Sequence, residues 1–191
     1  MTKSAPYLVV VAGIPASGKT TYARHLADLL RVPLIEKDAI KEALHEVVAW
    51  DTAEHANSRL YSNASQAVLL HVADRLMATG MPLILENNFH PLAAPQVEAL
   101  VQRHGYRALT VLFDADIAVL HQRFCSRDEA NRPEALASRS GHYAELAVFE
   151  HSAGPLRDFR VGERILVDTT DFTKVDYSLI DTQVLAFTMP R

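Results

Sequence analysis

The chain of 191 residues contains one cysteine, Cys125, and fewer basic than acidic side chains. A single thiol excludes an internal disulfide framework and a metal site built from several cysteines. We expect Cys125 to be a buried, unreactive thiol. Nineteen lysines and arginines against 23 aspartates and glutamates give a formal net charge of −4. This balance argues against a strongly basic surface that coats nucleic acid, although a local basic groove is compatible with it.

Long hydrophobic runs and several familiar catalytic patterns are also missing. No stretch approaches the roughly 18 consecutive apolar residues of a membrane-spanning helix. The first apolar run begins at Tyr7 and is too short for a secretory signal, so we expect a cytoplasmic protein. The nine histidines form no H-E-x-x-H zinc pattern. A G-x-S-x-G nucleophile elbow and a cysteine–histidine nucleophile pattern are absent as well.

The most informative stretch is a glycine-containing loop between a predicted strand and a predicted helix. It runs from Gly13 to Thr20 as GIPASGKT and matches the phosphate-binding pattern G-x-x-x-x-G-K-[ST]. Its glycines let backbone N–H groups point at phosphate oxygens, and the following helix adds its positive end. Lys19 is expected to reach the β- and γ-phosphates, and the Thr20 hydroxyl to ligate Mg²⁺. The predicted nucleotide-binding residues are Gly13, Ile14, Pro15, Ala16, Ser17, Gly18, Lys19, Thr20 and Thr21.

Short apolar stretches alternate with helical patterns along the whole chain. The predicted strands are Tyr7–Ala12, Leu34–Ile35, Met81–Glu86, Tyr106–Phe113 and Glu163–Asp168. The predicted helices are Thr20–Leu30, Ala39 to about Ala49, Thr52–Thr79, Pro95–His104, Asp116 to about Ser126, His142 to about His151, and one from Thr173 onward. The alternation predicts one α/β domain over residues 1–191, with a five-stranded parallel sheet between two layers of helices. Functional residues should then lie at the carboxyl ends of the strands.

Asp38 and Lys41 follow the second predicted strand and favour kinase chemistry. With Asp38 as the cap of the next helix, the two residues would lie on one helical face near the γ-phosphate. Phosphoryl transfer to a hydroxyl benefits from a carboxylate that accepts the hydroxyl proton and from a cation beside the moving charge. Asp38 suits the first role and Lys41 the second. The alternative is a plain helix cap followed by a solvated lysine.

Glu86, Asn87 and Asn88 end the third predicted strand. A carboxylate there can hold Mg²⁺ through water or bind the phosphoryl acceptor. The two asparagines offer donors and acceptors to a polar substrate. The alternative is an ordinary turn of turn-favouring residues.

A polar segment at about 127–141 contains a proline and predicts a mobile lid. Arginines in and before such a lid can clamp a polyphosphate and exclude water, and Arg127 is also a candidate catalytic residue. The alternative is a solvated loop. The candidate nucleotide-binding arginines are Arg123, Arg127 and Arg132, with Arg139 also in the set.

Together these motifs resemble the small P-loop kinases. The resemblance rests on Gly13–Thr21, Asp38–Lys41, Glu86–Asn87 at a strand end, and the arginine-bearing segment before Ser140–His142. Polynucleotide 5′-hydroxyl kinases, chloramphenicol phosphotransferases and zeta toxins are similar in these motifs. The resemblance covers most of the chain.

The resemblance implies a three-layer P-loop NTPase fold with an arginine-bearing lid, and Asp38 as the general base. It also implies that adenine packs between a lid arginine and the loop Asp168–Thr170, which makes Thr169 a candidate nucleotide contact. Such kinases commonly carry arginine where this chain has Lys41, and a lysine offers a point charge in place of a fork.

The leading functional hypothesis is an ATP- and Mg²⁺-dependent kinase that phosphorylates a hydroxyl of a small molecule or nucleotide. ATP is favoured over GTP because no Asn-Lys-x-Asp motif occurs. One alternative is a 5′-hydroxyl polynucleotide kinase, and another is a nucleotide-dependent regulatory module with a protein partner. The sequence does not identify the acceptor. We expect its pocket to involve residues 39–79, which include Trp50, Arg59, Tyr61 and Asn63.

Overall fold

The computed structural model describes residues 5–47, 58–131 and 143–190, and a parallel sheet organises this part of the chain. Its strands are β1 (Tyr7–Gly13), β2 (Leu34–Glu36), β3 (Leu83–Asn87), β4 (Arg107–Asp114) and β5 (Glu163–Asp168). They lie side by side in the order β2-β3-β1-β4-β5, and every neighbouring pair is parallel. The carboxyl ends of all five strands therefore meet at one edge, as the sequence predicts.

The helices of the described residues pack on both faces of the sheet. They are α1 (Lys19–Leu30), α2 (Lys37–Val47), α3 (Ser58–Met77), α4 (Ala94–His104), α5 (Ile117–Asn131), α6 (Leu146–Ala153) and α7 (Tyr177–Thr188). Short 3₁₀ turns lie at Pro91–Ala93, Gly154–Asp158 and Phe172–Lys174. Among the described helices, none is long and apolar enough to cross a lipid bilayer.

The central strand β1 shows how the layers form. Its side chains alternate between the two faces, as the period of two in a strand requires. Leu8 and Val10 pack in one core with α3 and α4, whereas Val9 and Val11 pack in a second core with α1 and α7. All four are fully buried, because a parallel sheet is covered on both sides. A third apolar cluster joins Ile14 of the glycine loop to α5 and α6.

The start of α2 differs from the prediction in a way that matters for the site. The helix begins at Lys37, directly after β2, and not at Ala39. The prediction that Asp38 caps this helix is therefore wrong, because no loop separates strand from helix. Asp38 instead lies in the first turn of α2, where a carboxylate interacts favourably with the helix dipole.

Helix α5 includes the first residues of the predicted lid segment. Helix α5 continues to Asn131, five residues past the predicted end at Ser126, so Arg127 is helical. No glycine or proline interrupts the chain between Ser126 and Asn131, and nothing there ends the helix. The remainder of the predicted lid, with Arg132 and Arg139, lies outside the described residues.

One further helix begins later than predicted, and another is described only in part. The described part of α3 starts at Ser58, and residues 52–57 of the predicted helix lie outside the described range. Helix α6 begins at Leu146 and not at His142, because Glu145 has an extended backbone and accepts the first N–H bonds of the helix. His142, a residue at the edge of the predicted lid, is outside the described residues.

Candidate active site

The loop between β1 and α1 has a backbone conformation that few residues other than glycine can adopt. Gly13 has φ of +141°, and a Cβ there would stand 2.0 Å from the carbonyl oxygen of Phe113 on β4. Gly18 precedes α1 with φ of +86°. Ala16 also has a positive φ, 66°, which is strained for an L residue. The two glycines of the motif are thus required by local geometry, and the strain at Ala16 is typical of a functional loop.

This loop fits a polyphosphate. Helix α1 begins at Lys19, so the N–H groups of its first turn point out of the helix toward the loop. The Ser17 side chain is fully buried, and its Oγ has no hydrogen-bond partner among the described residues. A phosphate oxygen is the kind of partner that such donors take at a helix N-terminus.

Thr20 and Glu86 bring two oxygens together beside Lys19. The Thr20 hydroxyl donates to Glu86 Oε1 over 3.1 Å, and Lys19 Nζ lies 3.7 Å from the same oxygen. Glu86 is 2% exposed, and burial raises the pKa of its carboxyl, against the lowering effect of Lys19. Asp38 adds a smaller upward contribution to the pKa of Glu86.

The oxygen pair of Thr20 and Glu86 fits Mg²⁺, which prefers hard oxygen ligands and keeps several waters. Within residues 5–47, 58–131 and 143–190, no group of three histidine, cysteine, aspartate or glutamate side chains could hold a metal ion alone. A Mg²⁺ ion here would therefore combine protein oxygens with phosphate oxygens and water, as is usual for nucleotide sites.

Asp38 borders a cavity of about 500 Å³ that begins at the glycine loop. Its side chain is 43% exposed, and its Oδ1 lies 3.2 Å from Nζ of Lys37, which is almost fully buried. Lys41 is also buried but is not among the residues that line this cavity. Sequence reasoning thus missed Lys37, although its place directly after β2 at the carboxyl edge of the sheet was a usable signal.

Polar but uncharged side chains make up much of this cavity. Pro15, Lys19 and Thr20 form the end beside the loop. Asn87 at the end of β3 donates from Nδ2 to Oε1 of Gln66 on α3 over 2.8 Å. The uncharged polar lining residues are Ser62, Asn63, Gln66, Asn87, Asn88, Gln96 and Ser152, with His90 beside them. We refer to this space as the polar cavity.

Residues 39–79, predicted to form the acceptor pocket, contribute only in part. Asn63 lines the polar cavity, whereas Tyr61 is buried in the protein. For Arg59 only the backbone position on α3 is described, and Trp50 lies outside the described residues. Gln66 was not predicted, because a glutamine on a long helix carries no signal of its own.

A second cavity of about 570 Å³ lies on the other side of the glycine loop, between α1 and α7. It begins at Gly18 and Thr21 and is lined mainly by rings. The Tyr22 hydroxyl donates to Asp181 over 3.0 Å, and burial together with Asp181 raises the pKa of Tyr22. The remaining lining residues are His25, Phe172, Tyr177 and Ser178. Flat apolar walls next to a phosphate loop fit the base of a nucleotide. We refer to this space as the aromatic cavity.

Arg123 ties the loop after β5 to helix α5. Its guanidinium donates to the carbonyl oxygens of Thr169 (2.8 Å) and Thr170 (2.9 Å) and stacks over the Phe172 ring at 4.0 Å. The Thr169 side chain is fully buried and its hydroxyl donates to the carbonyl oxygen of Asp114. Arg123 therefore contacts the loop that carries Thr169 directly, and adenine packing between the two stays a prediction. The structure describes no side-chain position for Arg127.

Comparison with known proteins agrees with this geometry. The profile of a family described as an AAA domain matches residues 8–151. A curated shikimate kinase from Novosphingobium aromaticivorans is 29% identical over 129 residues, which cover 65% of this chain and 62% of that protein. The match thus spans less than two thirds of the curated relative's length.

Solved structures extend the likeness over almost the whole chain. The crystal structure of a candidate kinase from Chloroflexus aurantiacus J-10-fl superposes with a TM-score of 0.77 and 29% identity, covering 97% of this chain and 99% of that one. A sugar kinase from Janibacter sp. HTCC2649 superposes with a TM-score of 0.58 over 95% of this chain and 93% of that one. At 15% identity the second likeness concerns the fold alone. The predicted three-layer α/β fold of the small P-loop kinases is confirmed.

Proposed function

The chain belongs to the AAA-domain family that its residues 8–151 match, and we propose that it is a kinase that moves the γ-phosphoryl group of ATP to a hydroxyl of a small molecule. The polar cavity is the observation that carries this proposal. It joins Lys19 and Thr20 of the phosphate loop to the half-exposed carboxylate of Asp38. A regulatory module that only binds nucleotide has no need of such a space beside the γ-phosphate position.

In this proposal Asp38 orients the acceptor hydroxyl and accepts its proton. Lys19 binds the β- and γ-phosphates, and the buried Lys37 beside Asp38 provides the further cation near the transferred group, the role that the sequence suggested for Lys41. Thr20 and Glu86 would hold Mg²⁺. When bound, Mg²⁺ neutralises charge on the phosphates and helps to align them.

In the same proposal, backbone groups bind the phosphates of the nucleotide and aromatic rings bind its base. The glycine loop from Gly13 to Thr21 would surround the phosphates, and the aromatic cavity would take the adenine ring. Arg123 would hold the loop at Thr169 in place beside the base, as its two bonds to carbonyl oxygens suggest. Arg127 and Arg132 remain proposed phosphate contacts, and Arg127 a proposed catalytic residue.

The test is transfer of label from γ-labelled ATP in the presence of Mg²⁺ to pooled acceptors. The pools are nucleosides, sugars, amino sugars, cyclic alcohols and 5′-hydroxyl oligonucleotides, with Lys19→Ala run beside the native chain. Label on one small-molecule pool, lost in Lys19→Ala, supports the proposal and identifies the acceptor class. Label on oligonucleotides alone would favour a polynucleotide kinase. Tight ATP binding with no label on any pool contradicts kinase activity.

A further inference from the structure

The polar cavity has two unlike walls that face the same space. One wall carries amides: Gln66 on α3, Asn87 at the end of β3 and Asn88 immediately after it. The other carries rings: Phe124 on α5, Phe149 on α6 and Tyr143 before α6. The three rings pack against one another with centroid distances of 5.4 to 6.1 Å. An apolar wall opposite a few placed polar groups is the usual design of a site for a small ligand.

Two ion pairs lie at the loop end of this cavity. Lys19 lies 3.7 Å from Glu86, and Lys37 lies 3.2 Å from Asp38. The lining residues that the structure describes include no arginine. An acceptor carboxylate would therefore meet no surplus positive charge from these residues, and desolvating an unpaired charge is costly. The described lining thus favours an uncharged acceptor over an acidic one.

The amide wall holds one donor and one acceptor that the protein itself leaves unused. Nε2 of Gln66 and Oδ1 of Asn88 are buried and have no hydrogen-bond partner within the described part of the chain. Asn87 fixes the orientation of the Gln66 amide by donating to its Oε1. A buried polar group without a partner costs stability, which a ligand can recover. A hydroxyl group both donates and accepts, and so it suits a donor and an acceptor on the same wall.

We propose that the phosphoryl acceptor is an uncharged ring compound that bears several hydroxyl groups, with Gln66 and Asn88 as the residues that bind its hydroxyls. The amides bind the hydroxyl-bearing edge of the ring, and the ring face packs on Tyr143, which the buried rings of Phe124 and Phe149 hold in place. Asp38 then faces the hydroxyl that receives the phosphoryl group. This inference rests on the proposed kinase activity and adds the acceptor class to it.

The test compares acceptors that share their hydroxyls but differ in charge. The pairs are shikimate with its methyl ester and glucuronate with glucuronamide, each offered with γ-labelled ATP and Mg²⁺. We expect kcat/KM for the uncharged member of each pair to exceed that for the acid by roughly tenfold or more, because the acid buries an unpaired charge. A preference for the acids, or equal use of both members, overturns the neutral acceptor and leaves the kinase activity standing.

Variants test the binding residues separately. Gln66→Glu keeps an oxygen that accepts from Asn87 but replaces the Nε2 donor with a carboxylate oxygen. We expect it to raise KM for the uncharged acceptor roughly tenfold, with a smaller change in kcat and unchanged ATP binding. Asn88→Ala removes the Oδ1 acceptor, which makes no hydrogen bond within the described part of the chain. This variant should raise KM in the same way. Gln102→Glu adds the same charge on the exposed side of α4, outside the cavity, and should change nothing.

Two outcomes separate this inference from the proposed function. Unchanged KM in both Gln66→Glu and Asn88→Ala, with label still transferred, overturns the assignment of the amide wall alone. ATP binding that depends on Lys19, with no label on any member of any pair or on any of the pooled acceptors, overturns the kinase proposal and this inference with it.

Discussion

The two ends of the candidate site are built in different ways. At the nucleotide end, one continuous segment from Gly13 to Thr21 supplies the phosphate loop, and its shape is imposed by backbone angles and by contact with β4. At the acceptor end, the polar cavity takes side chains from α2, α3, the end of β3, α5 and α6. The shape of the nucleotide end depends on the backbone angles that its residues can adopt. The acceptor end depends on which side chains tertiary packing brings together. Substitutions at the two ends should therefore impair the protein in different ways.

The largest effect is expected from Gly13→Ala. The new Cβ would stand 2.0 Å from the Phe113 carbonyl oxygen, which belongs to a central strand and cannot move away. We expect a loss of about 3 kcal/mol or more in the free energy of unfolding. Chemical denaturation measures it.

Gly80→Ala is the matched control for this change. Gly80 also has a positive φ, 76°, but a Cβ there meets nothing within 4 Å. Only the backbone strain remains, and a loss of about 1 kcal/mol is expected. Similar losses in the two variants would contradict the claim that close contact with β4 shapes the phosphate loop.

Lys19→Met should remove transfer. The Lys19 ammonium is the cation at the junction of the phosphate loop and the polar cavity, and the transferred charge loses it in this variant. We expect the transfer rate to fall on the order of 10²- to 10³-fold. Steady-state transfer measures this, and thermal unfolding measures separately what stability is lost when the buried Glu86 carboxylate no longer has Lys19 beside it. Native-like transfer would remove Lys19 from the site.

Arg123→Ala tests the part of the nucleotide end that side chains hold. The guanidinium makes two bonds to carbonyl oxygens and stacks on Phe172, so its loss should cost about 2 kcal/mol of stability and weaken ATP binding. Denaturation and ATP titration measure the two effects. Arg103→Ala removes an arginine that pairs with Asp74 on the surface, and it should cost less and leave ATP binding unchanged. ATP binding that is equally strong in both variants would contradict the role of Arg123.

The smallest predicted effect is a pH dependence of stability from Glu86. Burial raises the pKa of this carboxyl in the folded protein, so the folded state binds the proton more tightly than the unfolded state does. Its contribution to stability is present below the ordinary glutamate pKa of 4.5 and is lost as pH rises through the raised value.

Glu86→Gln removes this titration. The stability of the native chain relative to Glu86→Gln should therefore fall as pH rises from 4.5, in protein free of nucleotide and metal. Urea denaturation of both chains across this range measures the difference. A difference that stays constant with pH, or that moves in favour of the native chain, would contradict a raised pKa at Glu86.

The sequence predicted the fold and the position of the glycine loop well, because both follow from local patterns. Alternating apolar stretches indicated the five strands, and the spacing of Gly13, Gly18 and Lys19 indicated the loop. Polar residues at strand ends led directly to Asp38 and Glu86, since parallel strands end at one edge.

What the sequence did not predict depends on distances across the fold. Lys37 lies beside Asp38 at the polar cavity because α2 follows β2 without a loop. The predicted helix cap at Asp38 was wrong and gave no indication of this position. Gln66 lies in the middle of a 20-residue helix and becomes informative only through its bond to Asn87, 21 positions away in the chain. The rings that face it come from two further helices and the segment before one of them. No local sequence pattern predicts these contacts between distant parts of the chain.

The measurement that tests the central claim most directly is single-turnover transfer by Asp38→Asn, with ATP binding measured on the same sample. The claim is that ATP binds at the phosphate loop while Asp38 serves the acceptor hydroxyl in the polar cavity. We predict that the variant binds ATP as the native chain does and transfers phosphoryl groups on the order of 10²- to 10⁴-fold more slowly. Transfer at the native rate, or loss of ATP binding together with transfer, would contradict that division of the site.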